Sequence, residues 1–594
     1  MSHLLSSLAI LNINSNNNQD YIENFIPFIA ECLRLSPQDE VSLPQLQEMV
    51  LASFGLHIPQ GALKVILTRA ARKGFVHSEN KVYYRNVEAL SKFVFVKDRN
   101  EVLRKYSDLI AKLINFAQTN YNVVWNEEAA ENALINFLDN YSESLLASAI
   151  DGNPIPEVAV GVQEKYIVRS FIVFVFEYDS VGFSALEIMV KGAMLANSLL
   201  YPDLTAVKQK FERVDFYFDT KFLLRALGLA GSVQRDYARE LLQLLYESHA
   251  NLRCFAHTVT EMQGILEASK SALRNKNTRV KEVTEYLLSS GKSAADVEMI
   301  ISTLENRIQS LRIEIRRKPL YVEKFGIDEV GLGNTLQRAL GYHNEDAKQH
   351  DVDSVAAIYR LRDGEFPLRL ETARAVFVTT NGDLARVANS FFRQNYRDFM
   401  VPLCLSDYVL TTLAWLKKPT AAPALPNKRI IADAYAALNP PDNLWRMYLQ
   451  EIGRLHENKD IMPEDYHLLR LSTQSKRLLM DMTVGVANEF SEGMPLEILN
   501  RAKENLRADV EASLHTEKES RRLAENRVVE LEEKLYAEQT NTIARINYIS
   551  VKVGNIASKI LIALLVILYV LGLYFSIPLP LPRFTAGYQS LFQH

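Results

Sequence analysis

The sequence predicts a multidomain, mainly α chain with one α/β unit, a long helical stalk and one transmembrane helix near the end of the sequence. Three observations support this. Most of the 594 residues fall in amphipathic runs with apolar residues at helical spacing. Between about 211 and 400, short β-branched or aromatic runs repeatedly end on an acid and hand over to a helix. Finally, "ILIALLVILYVLGLYFSI", from Ile560 to Ile577, holds no charge, and a helix of that length approaches the thickness of a bilayer core.

Composition narrows the function classes. A chain this long needs several cores. The formal net charge of −4 excludes wholesale polyanion binding, so any nucleic-acid site must be a local basic patch. Cys32, Cys254 and Cys404 are far apart and form no CxxC pair, which fits a reducing compartment and not a structural zinc. The first twenty residues show no basic leader or cleavage pattern, so secretion is not expected. No GxxxxGK[ST], HExxH or GxSxG occurs, which leaves ATPase, zincin and serine-hydrolase chemistry without support.

Residues 20–90 read as three helices and a hairpin, with Ser42 as a cap, Pro44 in a first turn and the hairpin turn at Glu79-Asn80. That order resembles a winged-helix domain. In the third helix Leu63, Ile66, Leu67 and Ala70 can face the core, leaving Gln60, Lys64, Thr68 and Arg72 outside with Arg69 and Lys73 beside them; the wing adds Lys81 and Arg85. The resemblance implies that this face enters a DNA groove, where cations neutralise phosphates. A solvated face or a protein-binding one is the other reading.

Residues 91–208 read as a helical connector and 428–495 as a further helical domain, both without evident chemistry. The stalk, 496–555, mixes both charges, and Val528, Leu531, Leu535, Thr542 and Ile549 partly satisfy an a/d seam, which would allow a homo-oligomer. The transmembrane helix is expected at 558–578, followed by a short tail at 579–594. Arg545, Lys552 and Lys559 precede the span and Arg583 follows it, which predicts that the bulk of the chain is cytoplasmic.

The α/β unit, 209–415, holds the candidate chemistry. In "VDFYFDTKFLLRALGL" a strand stops at Asp219, which can be an N-cap or, at a strand's carboxyl end, a metal ligand. Glu261 follows the strand ending near Ala256, although Thr258 and Glu261 also spell a capping box. Asp351 and Asp353 open an Ala-rich helix, where acids suit the dipole without any metal. "RAVFVTTNGDL" ends a strand at Thr380, Asn381, Gly382 and Asp383, and Asp383 can simply cap the next helix.

This series of strand, acid and helix resembles the PIN-domain superfamily of nucleases over about residues 211–400. "FDTKFLLRALG" matches the first motif with Asp219, "TVTEMQGIL" the second with Glu261, and "HDVDSVAAIYRLR" the third, with Asp353 the better match and Asp351 its neighbour. "VFVTTNGDL" resembles the closing strand; Asn381 stands where many members place a fourth acid, with Asp383 as the substitute. The resemblance implies phosphodiester hydrolysis, usually of RNA, with Mg²⁺ or Mn²⁺ held by Asp219, Glu261, Asp351, Asp353, Asn381 and Asp383. The long gap between Glu261 and Asp353 reads as a helical insertion at about 268–345, where Arg312, Arg316, Arg317 and Lys318 form either a phosphate-facing patch or a solvated helix end. A membrane-anchored nuclease acting on RNA or DNA is the leading expectation. An inactive PIN-like scaffold and a membrane-bound winged-helix regulator are the alternatives.

Overall fold

The structure is a computed structural model that describes residues 3–15, 21–79, 82–95, 99–139, 162–197, 210–274, 282–342, 344–367, 369–396, 401–418 and 421–574. The chain divides into two compact units, Met1–Ala502 and Lys503–His594.

The first unit is mostly helical. Near its start, helices Ile26–Leu35, Leu43–Phe54 and Gln60–Arg72 precede two antiparallel strands, β2 (Val76–Glu79) and β3 (Val82–Arg85), while a shorter strand, β1 (Glu40–Val41), pairs with the other edge of β3. Ser42 and Gln45 exchange side-chain and backbone hydrogen bonds, forming a capping box that fixes the start of the second helix. Leu63, Ile66, Leu67 and Ala70 are buried, which turns Lys64, Thr68 and Arg72 outward as the spacing predicts.

Residues read only for targeting signals turn out to be structural. Helix His3–Ser15 buries Leu5, Leu8 and Leu11 and lies against helix Ser180–Asn197. The backbones touch: a Cβ on Gly192 would stand 1.9 Å from the carbonyl oxygen of Leu8. Farther along, Tyr121 and Tyr166 of the connector donate to Asp481 Oδ1 at 2.9 and 2.7 Å, joining the connector to the helical block that follows the sheet.

Five parallel strands form the α/β core: β4 (Asp215–Phe218), β5 (Asn251–Phe255), β6 (Glu314–Arg316), β7 (Ala375–Thr379) and β8 (Cys404–Ser406), in spatial order β6-β5-β4-β7-β8. The aromatic run of β4 serves both faces through its alternation of side chains. Phe216 and Phe218 join the core with helices Ser232–Glu247 and Ala256–Arg274, whereas Tyr217 joins helices Glu329–Leu340, Glu345–Leu361 and Gly382–Asn395 on the other side. Helices thus cover both faces, as parallel strands require.

Two expectations need correction. The stretch read as a helical insertion contains β6, so among the described residues helices Glu282–Ser289, Ala294–Ser302 and Leu304–Ser310 are the ones inserted between the helix after β5 and the sheet's outer strand. β7 is not the last strand either, because β8 pairs beyond it. Arg362, at 1% exposure, fastens that end of the sheet: its guanidinium donates to the carbonyls of Ala375, Val401 and Pro402 at 2.7–3.0 Å.

The second unit is described over 503–574, which lies within helix Met494–Tyr574. One helix among the described residues is long and apolar enough to cross a membrane: Leu514–Tyr574, whose most apolar stretch has a mean hydropathy of 2.6 and no buried residues. Val528, Leu531, Leu535 and Ile549 of the partial seam are exposed. The expected tail at 579–594 lies outside the described residues.

Gly192→Ala should destabilise the first unit by about 1–3 kcal/mol, because the added carbon meets backbone and not a movable side chain. Thermal unfolding of the full chain should show a lowered midpoint, with Gly264→Ala as a control since nothing lies within 4 Å of its added Cβ.

Candidate active site

Because all five strands are parallel, their carboxyl ends share one rim, and the chain's direction across the sheet reverses between β4 and β7. Such a reversal opens a crevice at the strand ends. Asp219, the residue after β4, stands there at 8% exposure. Its Oδ1 accepts from the Phe222 N–H at 2.7 Å and caps helix Thr220–Ala226. Oδ2 reaches across to β7, accepting from Thr379 Oγ1 at 2.7 Å and from the Thr380 N–H at 2.9 Å. Burial pushes the Asp219 carboxyl above its ordinary pKa, more than the Phe222, Thr379 and Thr380 donors pull it back, and the charge of Asp407 adds to the rise.

Glu261 does not close the expected capping box. Its helix begins at Ala256, directly after β5, so Thr258 lies inside the first turn and not at the cap. Thr258 Oγ1 instead lies 3.3 Å from His350 Nε2. The Glu261 carboxylate accepts the Thr220 hydroxyl, next to Asp219, and stands 3.2 Å from the same His350 Nε2. His350 Nδ1 is 3.6 Å from Asp351 Oδ1, and Asp351 Oδ2 accepts the Tyr342 hydroxyl at 2.5 Å. Burial works against an imidazolium at His350, but Asp351, Glu261 and Asp219 outweigh it and raise its pKa.

The structure therefore sets Glu261 and Asp351 against His350, with Asp219 close enough for its charge to act on the imidazole, and turns the other expected acids elsewhere. Residues two apart on a helix face nearly opposite ways, so Asp351 and Asp353 cannot both enter the crevice. Asp353 pairs with Lys318 and accepts from Gln349 at 2.8 Å; burial opposes its charge, but these partners hold its pKa below the ordinary value. Asn381 is exposed and caps helix Gly382–Asn395 through the Leu384 N–H at 3.2 Å. Asp383 is exposed and pairs with Arg386 at 3.1 Å.

Sequence reasoning missed His350, His257, Thr220 and Tyr342. The only local signal for His350 is its place beside Asp351. His257 follows β5, stacks on Phe255 at 5.1 Å, approaches His350 at 4.7 Å between ring centres and bonds Ser354 at 2.9 Å. Burial, with the charge of His350, lowers its pKa to about 4.

The outward face of helix Gln60–Arg72 keeps Gln60, Lys64 and Arg72 exposed, with Arg69 half-buried. Lys73 pairs with Glu23 at 2.6 Å. Arg85 is corrected to a folding role: it donates to Asp39 at 2.9 Å and to the carbonyls of Leu33 and Ser36. Lys81 lies outside the described residues.

Among the described residues, no three His, Cys, Asp or Glu side chains converge as a ready cation site. Donor chemistry nevertheless fits a hard divalent ion, since Asp219, Glu261 and Asp351 offer anionic oxygens around one crevice. Asp353 and Asp383, each engaged by a cation of the protein, do not belong to that set. No protein-family model, curated protein or solved structure matches the chain.

His257 generates a pH prediction. Its folded-state pKa of about 4 lies below the ordinary 6.5, so its contribution is fully present above pH 6.5 and is lost as pH falls toward 4. Chemical denaturation of wild type and His257→Gln at several pH values should show the variant losing less stability over that window, by up to ~3 kcal/mol. Parallel curves would contradict the assignment.

Proposed function

We propose that this protein is a membrane-anchored, metal-dependent phosphodiesterase, a nuclease in the manner of the PIN-like sequence series. The observation that supports this best is the placing of Glu261 and Asp351 against His350, with Glu261 also bonded to Thr220 beside Asp219, at the reversal point of the sheet. Structural capping alone gives no reason for the second oxygen of Asp219 to lie buried against β7, or for Glu261 to leave its own helix terminus for Thr220 and His350.

Asp219, Glu261 and Asp351 would hold Mg²⁺ or Mn²⁺. When bound, such an ion acidifies water and stabilises charge on phosphate oxygens. The chain's own groups do the rest. Thr379 and Thr380 keep Asp219 aimed into the crevice. Thr220 orients Glu261, Tyr342 orients Asp351, and His350 stands between the two acids. The apolar part of Leu514–Tyr574 would tether the protein to a bilayer, and Lys64 and Arg72 would meet phosphates from the helix before the wing.

A non-catalytic scaffold is the second reading, favoured by Asn381 and Asp383, which leave the crevice without a fourth acid.

Full-length protein in detergent, mixed with single-stranded RNA, single-stranded DNA or duplex DNA, should cut at least one of them with Mn²⁺ or Mg²⁺ and none with EDTA. Asp219→Asn and Glu261→Gln should each lower the rate at least about a hundredfold, while Asp383→Asn stays within about twofold of wild type. Metal-independent cleavage, or full activity in Asp219→Asn, would refute the nuclease. Tight nucleic-acid binding with no cleavage under any condition would favour the scaffold.

A further inference from the structure

We propose that Tyr321 and the basic residues 316–318 form a subsite that stacks one unpaired base of a single strand and leads its backbone toward the acidic crevice; this rests on the nuclease reading. β6 is an outer strand of the sheet, and its carboxyl end lies on the same rim as Asp219. The chain leaves that end through Arg316, Arg317 and Lys318, all exposed; Arg316 pairs with Glu314 at 2.6 Å and Lys318 with Asp353 on helix Glu345–Leu361. Three residues later Tyr321 is 68% exposed.

An aromatic ring so exposed is ordinarily free to rotate, but this one has neighbours at its ring and at its hydroxyl. The Arg360 guanidinium lies 5.3 Å from its ring centre, and Arg360 is itself nearly buried and paired with Glu329. Its hydroxyl lies against Gly326, where an added Cβ would come within 2.8 Å. A ring with such neighbours, and with its remaining surface in water, loses little conformational freedom when a flat partner stacks on it.

Asp353 and Arg360 are seven residues apart on one helix, about 10 Å along its axis. The three-residue step from Lys318 to Tyr321 can span about the same distance. Residues 318–321 therefore run beside that helix, with Lys318 at the level of Asp353, close in sequence to Asp351, and Tyr321 at the level of Arg360. Cations near the crevice and an exposed aromatic a few nucleotides away suit a single strand, whose phosphates need positive charge and whose bases expose their faces. A duplex keeps those faces stacked within itself. Leu320, 87% exposed beside Tyr321, adds apolar surface to the same spot.

The test measures binding in EDTA, where no cleavage is expected, by fluorescence anisotropy of a labelled oligouridylate, alone and annealed to its complement, with full-length protein. Wild type should bind the single strand more tightly than the duplex. Tyr321→Ala should weaken single-strand binding about tenfold, Tyr321→Phe should restore it, and Arg317→Ala should lower the salt dependence by about one phosphate contact. Wild-type affinity in Tyr321→Ala, failure of Tyr321→Phe to bind, equal affinity for the duplex, or no strand binding by wild type would each overturn the subsite. If Asp219→Asn abolishes metal-dependent cleavage while Tyr321→Ala binds normally, the subsite falls and the nuclease stands. Capture of a protein by wild type and not by Tyr321→Ala, without strand binding, would replace the nucleic acid with a protein partner.

Discussion

The carboxylate of Asp219 grips two elements at once, its own helix through Oδ1 and the end of β7 through Oδ2, and the crevice depends on that grip. The pairing of β4 with β7, from Asp215 opposite Ala375 to Phe218 opposite Val378, brings the donors within reach. Taking a carboxylate out of water costs several kcal/mol. Hydrogen bonds to a charged group each return roughly 1.5–3 kcal/mol, so two backbone N–H groups and a threonine hydroxyl are of the right size to keep a buried acid in place.

Neighbouring acids would repel one another in such a place, and the protein answers with protons and cations of its own. Hydroxyls from Thr220 and Tyr342 point at Glu261 and Asp351, and His350 stands between those acids. Lys318 performs the same service outside the crevice for Asp353. One rim thus holds two acids against an imidazole, with Asp219 nearby, and beside them a strip of basic residues leading away.

Legibility in the sequence followed the strength of local periodicity. The strand before Asp219 and the strand before Thr380 were readable because aromatic and β-branched residues crowd there, and Ser42 announced a helix start that the structure keeps. β6 was not readable: it is three residues long, its only apolar member is Ile315, and charged residues flank it within a helical region, so tertiary pairing with β5 decides its conformation. β8 is equally short and gains its identity from β7. Asp219 and Glu261 could be singled out, but the choice between Asp351 and Asp353 depended on which way a helix face turns after packing. His350 was invisible because an imidazole among acids is assembled from separate elements and follows no spacing rule.

The central claim is that Asp219, Glu261 and Asp351 share one divalent ion, and metal binding tests it most directly. Titration of Mn²⁺ into the full-length protein, followed by calorimetry and by the electron-spin signal of free Mn²⁺, should reveal a saturable site that is lost in Asp219→Asn combined with Glu261→Gln, while Asp383→Asn retains it. Absence of a saturable site, or unchanged binding in the double variant, would contradict the account.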